Sequence, residues 1–352
     1  MLSRRSRRVA RRLLRRHREP SIAELEPKLV WIYGSPRSGS TWLLEMLCHP
    51  LALDLDPRSA LGFTWHDDWR AEAAALPVDG LQISAHLAPA VFGHSVSMDT
   101  LENDAGEILP RTLNRQAGSR GTYAFSNSYA DVWRPEARRL ILTRLHAIIG
   151  RAAREGLRLP SPWPLLVIKE VDDSHAADVV MSLFPRSRMI FLVRDGRDVL
   201  DSLLDANRPD GWLTKAGWGT GAFSESGEKL EWIREHCRNW VARMNVCARA
   251  YDAHDPALRK CVRYEELLAD TGARLADLAL WLDLPPTREE IAAIASAHSF
   301  DTLPEHAKGP GMFRRAARPG AWRNHLTDEE QQLANDIMGQ TLIELGYEVA
   351  LS

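Results

Sequence analysis

Apolar positions in this chain fall into short compact runs, each followed by a stretch with helical spacing. "KLVWIYG" (28–34) has strand length and ends in glycine, and "STWLLEMLC" (40–48) then repeats its apolar residues at helical intervals. "LLVIK" (165–169) leads into "SHAADVVMSLFP", and "RMIFLV" (188–193) into "GRDVLDSLLDA". Continuous apolar strands alternating with helices predict an α/β fold whose parallel sheet is covered on both faces, with ligands at the carboxyl ends of the strands. Gly34, Lys169 and Arg194 fall at three such ends. "SIAELEP" reads as a short helix before the first strand, "LRKCVRYEELL" as a strand feeding a helix, and "TREEIAAIASA" as another helix. "TDEEQQLANDIMGQTLIELG" reads as a closing helix, with Thr327 at its cap and Glu330 three residues later.

Two stretches lack this order. Residues 80–160 are mixed and polar, with a loop-like "GSRGTYAFSNSYADVW" before the helical "PEARRLILTRLHAIIGRAARE". Residues 206–227 are rich in Gly and Trp without periodicity and predict a mobile flap. Segments 80–160 and 206–235 are therefore the candidates for covering an acceptor.

At 352 residues and 45% hydrophobic content, the chain can bury one large core, read as a single domain over 21–352 behind an arm, 1–20. The four cysteines form no CxxC pair and no ligand spacing, which points to a reducing, cytoplasmic setting without zinc or disulfides. No apolar run approaches the ~18 residues of a membrane span, and no apolar segment of the secretory type follows the basic start. Net charge is −2, but residues 1–18 hold nine arginines and no acid, so the remainder has 36 basic against 47 acidic residues, about −11. Such an arm suits a solvated helix, an anionic membrane surface touched peripherally, or an Arg-rich transit-like segment. It has no aromatic residue to stack on bases, which argues against nucleic acid.

The stretch from Gly34 to Thr41 has the frame of a phosphate-binding loop, GxxxxGK[ST], except that Ser40 stands in place of the lysine. The loop's backbone N–H groups and the start of its helix still suit an anion. Arg37 is its one cation, so the loop is ill-equipped for ordinary Mg-nucleotide chemistry.

Five segments in order, from about residue 28 to 347, resemble those of the sulfotransferases, which move a sulfuryl group from 3′-phosphoadenosine-5′-phosphosulfate (PAPS) to an alcohol or amine. "YGSPRSGSTW" is similar to the family's 5′-phosphosulfate loop and "FLVRDGRDVLDS" to its 3′-phosphate segment, with Arg194 and Ser202 eight residues apart. "VRYEELL", "SAHSFDTL" and "FRRAARPGAWRNHLT" resemble the remaining three. The resemblance implies that Arg37, Ser38, Gly39, Ser40 and Thr41 bind the 5′-phosphate. It further implies that Trp42, Ser299 and Phe300 line the adenine side, that Tyr264 of "VRYEELL" binds the cofactor or else is a satisfied strand-end tyrosine, and that Arg194, Ser202 and Arg315 hold the 3′-phosphate. Lys169, a cation at the end of an apolar strand, and Arg37 would stabilise the bridging and leaving oxygens. No metal is expected, because arginine and lysine can meet the leaving oxyanion. Arg197 is read as structural.

The sequence departs from the family pattern at Ala316 and Ala317, where Lys-Gly is usual, at Ala321, where Asp is usual, and at Val171, where the cytosolic branch has its catalytic His. The acceptor's proton must therefore go elsewhere. Asp56, with Asp54 close by, lies where the acid of the carbohydrate- and tyrosine-modifying branches would fall after an HP dipeptide. His66 is the rival, since its ordinary pKa suits a base near neutrality. Strand alternation turns Glu170 away from the face of Lys169. The expected acceptor is a small molecule or carbohydrate bearing a hydroxyl or amine. A P-loop kinase or nucleotide hydrolase, and a non-catalytic module that binds the product 3′-phosphoadenosine 5′-phosphate (PAP), are the alternatives.

Overall fold

A computed structural model describes residues 22–48, 53–55, 63–65, 75–79, 81, 100–102, 108–110, 129–157, 159, 163–217, 219, 221, 223, 226–284 and 286–349. The apolar runs become the sheet. Strands β1 (Leu29–Gly34), β4 (Ala75–Asp79), β7 (Leu165–Lys169), β8 (Arg188–Val193) and β9 (Arg259–Arg263) form one five-stranded sheet in the order β4-β7-β1-β8-β9. All its pairings are parallel, with Leu29 opposite Leu166, Ile32 opposite Ile190, and Leu192 opposite Val262. Every residue of β1 is buried, as a strand covered on both faces requires. Pro77, which cannot donate to a ladder, lies on β4 at the sheet's edge. Two antiparallel pairs stand outside this sheet, β2 (Leu53–Leu55) with β3 (Phe63–Trp65) and β5 (Thr100–Glu102) with β6 (Ile108–Pro110).

The helices are α1 (Ser40–Leu47), α2 (Ala130–Arg154), α3 (Ala177–Leu183), α4 (Gly196–Ala206), α5 (Trp212–Lys215), α6 (Ser226–Ala253), α7 (Tyr264–Ala269), α8 (Thr271–Trp281), α9 (Arg288–Ala297), α10 (Trp322–His325) and α11 (Asp328–Glu344). Alternate strand residues send their side chains to opposite faces. Trp31, Tyr33, Ile168 and Phe191 meet side chains of α2, α3, α6 and α11 on one face. Val30, Ile32, Val167 and Leu192 meet α1, α8 and α9 on the other. The doubly covered parallel sheet expected from the sequence is the observed fold.

The short helix before the first strand is present in a tighter form, and two other local expectations change. Residues Ile22–Lys28 form a 3-10 helix containing Pro27. This short piece is tied to the body by the buried Glu26 carboxylate, which accepts hydrogen bonds from Arg138 Nη2 at 2.6 Å and the Arg186 N–H at 2.8 Å. Helix α2 begins at Ala130, five residues before the proline that looked like its start. Much of the expected 206–227 flap is structured, since α5 lies within it and the 28-residue α6 takes up the rest of 206–235 from Ser226. Trp and Gly at irregular spacing hid α5, whose place is set by tertiary contact: the Trp212 N–H donates to the Gly311 carbonyl at 2.9 Å.

Candidate functional site

The loop between β1 and α1 is shaped by close contacts. A side chain at Gly34 would place its Cβ 2.3 Å from the Leu192 carbonyl oxygen of β8. Gly34 donates its N–H to Ser174 Oγ at 3.1 Å, and that hydroxyl donates back to the Gly34 carbonyl at 2.6 Å. Ser38 turns its N–H and hydroxyl onto the Ser35 carbonyl, at 3.2 and 2.6 Å. Gly39, at φ 86°, adopts a left-handed conformation, and a Cβ there would stand 2.6 Å from the Tyr264 ring. Ser40 and Thr41 then open α1, whose first N–H groups have no partner within the helix and favour an anion. Lys169, at the end of β7, donates from Nζ to Thr41 Oγ1 at 3.3 Å, so a cation stands at the start of that helix.

Three arginines gather beside the loop. Arg194, just past β8, donates from Nη1 to the Arg37 carbonyl at 2.7 Å and lies 4.4 Å from the Tyr264 ring centroid. Its Nε is buried and has no hydrogen-bond partner among the described residues. Arg37 donates from Nε to Ser202 Oγ at 3.0 Å and from Nη2 to the Phe313 carbonyl at 2.6 Å. Its guanidinium lies 5.4 and 4.9 Å from the Trp212 and Phe313 ring centroids. Burial, and after it the charges of Arg194 and Arg315, lower the Arg37 pKa to about 10. Arg315 donates from Nη1 to Asp201 Oδ1 at 2.9 Å, and His325 Nδ1 is 3.0 Å from Asp201 Oδ2. Burial works to raise the Asp201 pKa, but Arg315 and His325 outweigh it and hold the carboxyl below its ordinary range. Arg315 is thus matched by Asp201, whereas among the described residues Arg37 and Arg194 donate only to a hydroxyl and to carbonyls, and an anion with charge for both guanidiniums would stabilise them.

The expected residues converge with their pairings rearranged. Ser202 meets Arg37 and not Arg194, so the Arg37 side chain leaves the loop and points toward α4. The cation at the helix start is Lys169. Trp42 Nε1 donates to the His298 carbonyl at 2.7 Å, and its ring meets Tyr264 edge-on at 6.1 Å. Burial raises the Tyr264 pKa, with Arg194 opposing. Ser299 Oγ accepts the Asp301 N–H at 3.3 Å, and Phe300 follows with Lys308 Nζ 5.6 Å from its ring centroid.

Glu170 is buried on the face opposite Lys169, where its Oε2 accepts the Leu81 N–H at 2.6 Å, as strand alternation requires. Arg197 is structural, held by Asp195 at 2.8 Å and lying over Trp322 at 4.2 Å. Asp56 and His66 lie outside the described residues. Asp54 belongs to β2, but its side chain is likewise outside them.

Sequence reasoning missed Glu45, Asp201, Trp212 and Phe313. Glu45 had a signal, an acid inside the apolar "WLLEML", which implies a buried partner. Trp212 and Phe313 had none, because their roles come from a contact between segments about 100 residues apart in sequence.

The family model described as "Sulfotransferase family" matches residues 27–289. No curated protein sequence matches the chain. Among solved structures, the sulfotransferase domain from the Curacin biosynthetic pathway is 18% identical, covering 91% of this chain and 98% of its own, with a TM-score of 0.44. Mouse sulfotransferase SULT7A1 complexed with PAP is 12% identical, covering 92% of each chain, at 0.47. Sulfotransferase STF9 from Mycobacterium avium is 14% identical, covering 95% of this chain and 81% of its own, at 0.45.

Proposed function

We propose that this chain, which belongs to the sulfotransferase family, takes its sulfuryl group from PAPS, passes it to a hydroxyl or amine acceptor, and releases PAP. The observation that carries this reading is the buried, unpartnered Arg194 Nε beside a guanidinium already crowded by like charge. A 3′-phosphate would give that donor an acceptor and relieve the crowding.

PAPS supplies the sulfuryl group, bonded to the 5′-phosphate oxygen. The N–H groups that open α1 and the Lys169 ammonium hold that phosphate in this reading and stabilise the negative charge it gains as the S–O bond breaks. Arg194 meets the 3′-phosphate, with Arg37 and Ser202 beside it, while Trp42, Tyr264 and Phe300 bound the adenine side. Asp56 or His66 takes the proton of the acceptor as its oxygen or nitrogen bonds to sulfur. The acceptor is a small molecule or carbohydrate, and segments 80–160 and 206–235 are the proposed cover over it. No described helix is long and apolar enough to cross a membrane, and the arginine arm is the proposed contact with an anionic surface.

Incubation with PAPS and a panel of alcohols, phenols and amines, in the presence of a chelator, should release PAP with an acceptor-dependent rate. Magnesium-dependent hydrolysis of ATP, with no PAP formed from any acceptor, would return the loop to nucleotide chemistry.

A further inference from the structure

Glu45 is an unusual residue for its place. It lies in the second turn of α1, on a helix otherwise buried through Leu43, Leu44, Met46 and Leu47, and its side chain is 6% exposed. A carboxylate so placed is costly unless cations or donors meet it. Arg314 Nη2 meets it, donating to Oε1 and to Oε2 at 2.6 Å each. His298 Nδ1 stands 3.8 Å from Oε2.

Each of these two contacts leads to a different wall of the nucleotide cleft. Arg314 belongs to a tight strap, in which the Gly309 N–H donates to the Arg314 carbonyl at 3.0 Å and Met312 N–H to the Gly309 carbonyl at 3.1 Å. The strap is seated on α4 by the Gly311 N–H donating to Asp205 Oδ2 at 2.8 Å. Immediately before Arg314 is Phe313, whose carbonyl and ring hold Arg37, and immediately after it is Arg315. His298 precedes Ser299 and Phe300, and its carbonyl accepts the Trp42 indole N–H. One buried carboxylate therefore joins the phosphate-loop helix, the strap that orients Arg37, and the segment on the adenine side.

We propose that Glu45, acting through Arg314 and His298, is the positioning residue that sets the two walls of the donor site in register. The idea rests on the PAPS reading above. It adds that the arginine cluster's preference for a 3′-phosphate depends on a pair outside that cluster, whose members are held to each other at 2.6 Å.

The test is calorimetric titration of PAP and AMP into wild type, Glu45→Gln, Arg314→Met and Arg314→Lys, with thermal unfolding of each. Arg314→Met keeps the side-chain bulk and should reduce the PAP-over-AMP preference about tenfold. Arg314→Lys should recover much of that loss, and Glu45→Gln should behave like Arg314→Met. A pair that only stabilises the fold would lower the unfolding temperature and leave the preference of folded Arg314→Met at its wild-type value, which would overturn the proposal. Equal affinity of wild type for PAP and AMP would instead overturn the PAPS reading itself, and this inference with it.

Discussion

Ala317 holds a backbone angle that its side chain disfavours, φ 45°, at the position where the family pattern has glycine. A left-handed residue with a Cβ costs about 1–2 kcal/mol, and glycine gives back part of this by having a freer unfolded state. Ala317→Gly should therefore raise stability by about 0.5–1 kcal/mol in urea unfolding, opposite to the effect of the same change inside a helix. A loss of similar size would mean that the turn is not strained. The missing histidine at Val171 leads to a second prediction at this scale. Either Asp56→Asn or His66→Gln should lower turnover about 100-fold while PAP affinity stays within error. Full activity in both variants would remove both residues from the mechanism.

Among elements, the closing helix shows what local pattern can establish. Thr327 accepts the Glu330 N–H at 3.3 Å and Glu330 returns to the Thr327 N–H at 3.0 Å, which is the capping box read from spacing alone. Thr327→Ala should cost about 1 kcal/mol and leave nucleotide affinity unchanged, since the capping box satisfies only the helix's own first N–H groups. A loss of PAP binding without a loss of stability would place that helix in the site. The strands were legible because burial on both faces demands unbroken apolar runs, and with them came Gly34, Lys169 and Arg194 at the strand ends. The strap and α5 were not legible. The strap meets α5 and Arg37 through the Gly311 and Phe313 carbonyls, and a carbonyl carries no trace of its partner in the sequence. The same holds for Arg37, whose presence in the loop was plain but whose direction, toward Ser202, was not.

At the scale of the whole molecule, charge is divided between an arginine arm and an acidic body, and within that body Arg37, Lys169, Arg194 and Arg315 stand around one loop. Deleting residues 1–18 should leave PAP affinity unchanged, because the described fold is anchored from Glu26 onward by Arg138 and Arg186. The deletion should also abolish a salt-sensitive association with anionic vesicles. Vesicle binding that survives it would move the membrane contact to the body.

The central claim is that the arginine cluster is built for a second phosphate. It is tested most directly by titrating PAP and AMP into wild type and Arg194→Ala. A charged hydrogen bond from arginine to phosphate in a partly desolvated site is worth roughly 2–4 kcal/mol, about 30- to 1,000-fold in affinity. Wild type should favour PAP by a factor in that range, and Arg194→Ala should lose most of the preference by weakening PAP while AMP changes little. Equal wild-type affinities for the two nucleotides, or a variant that keeps the full preference, would contradict the account.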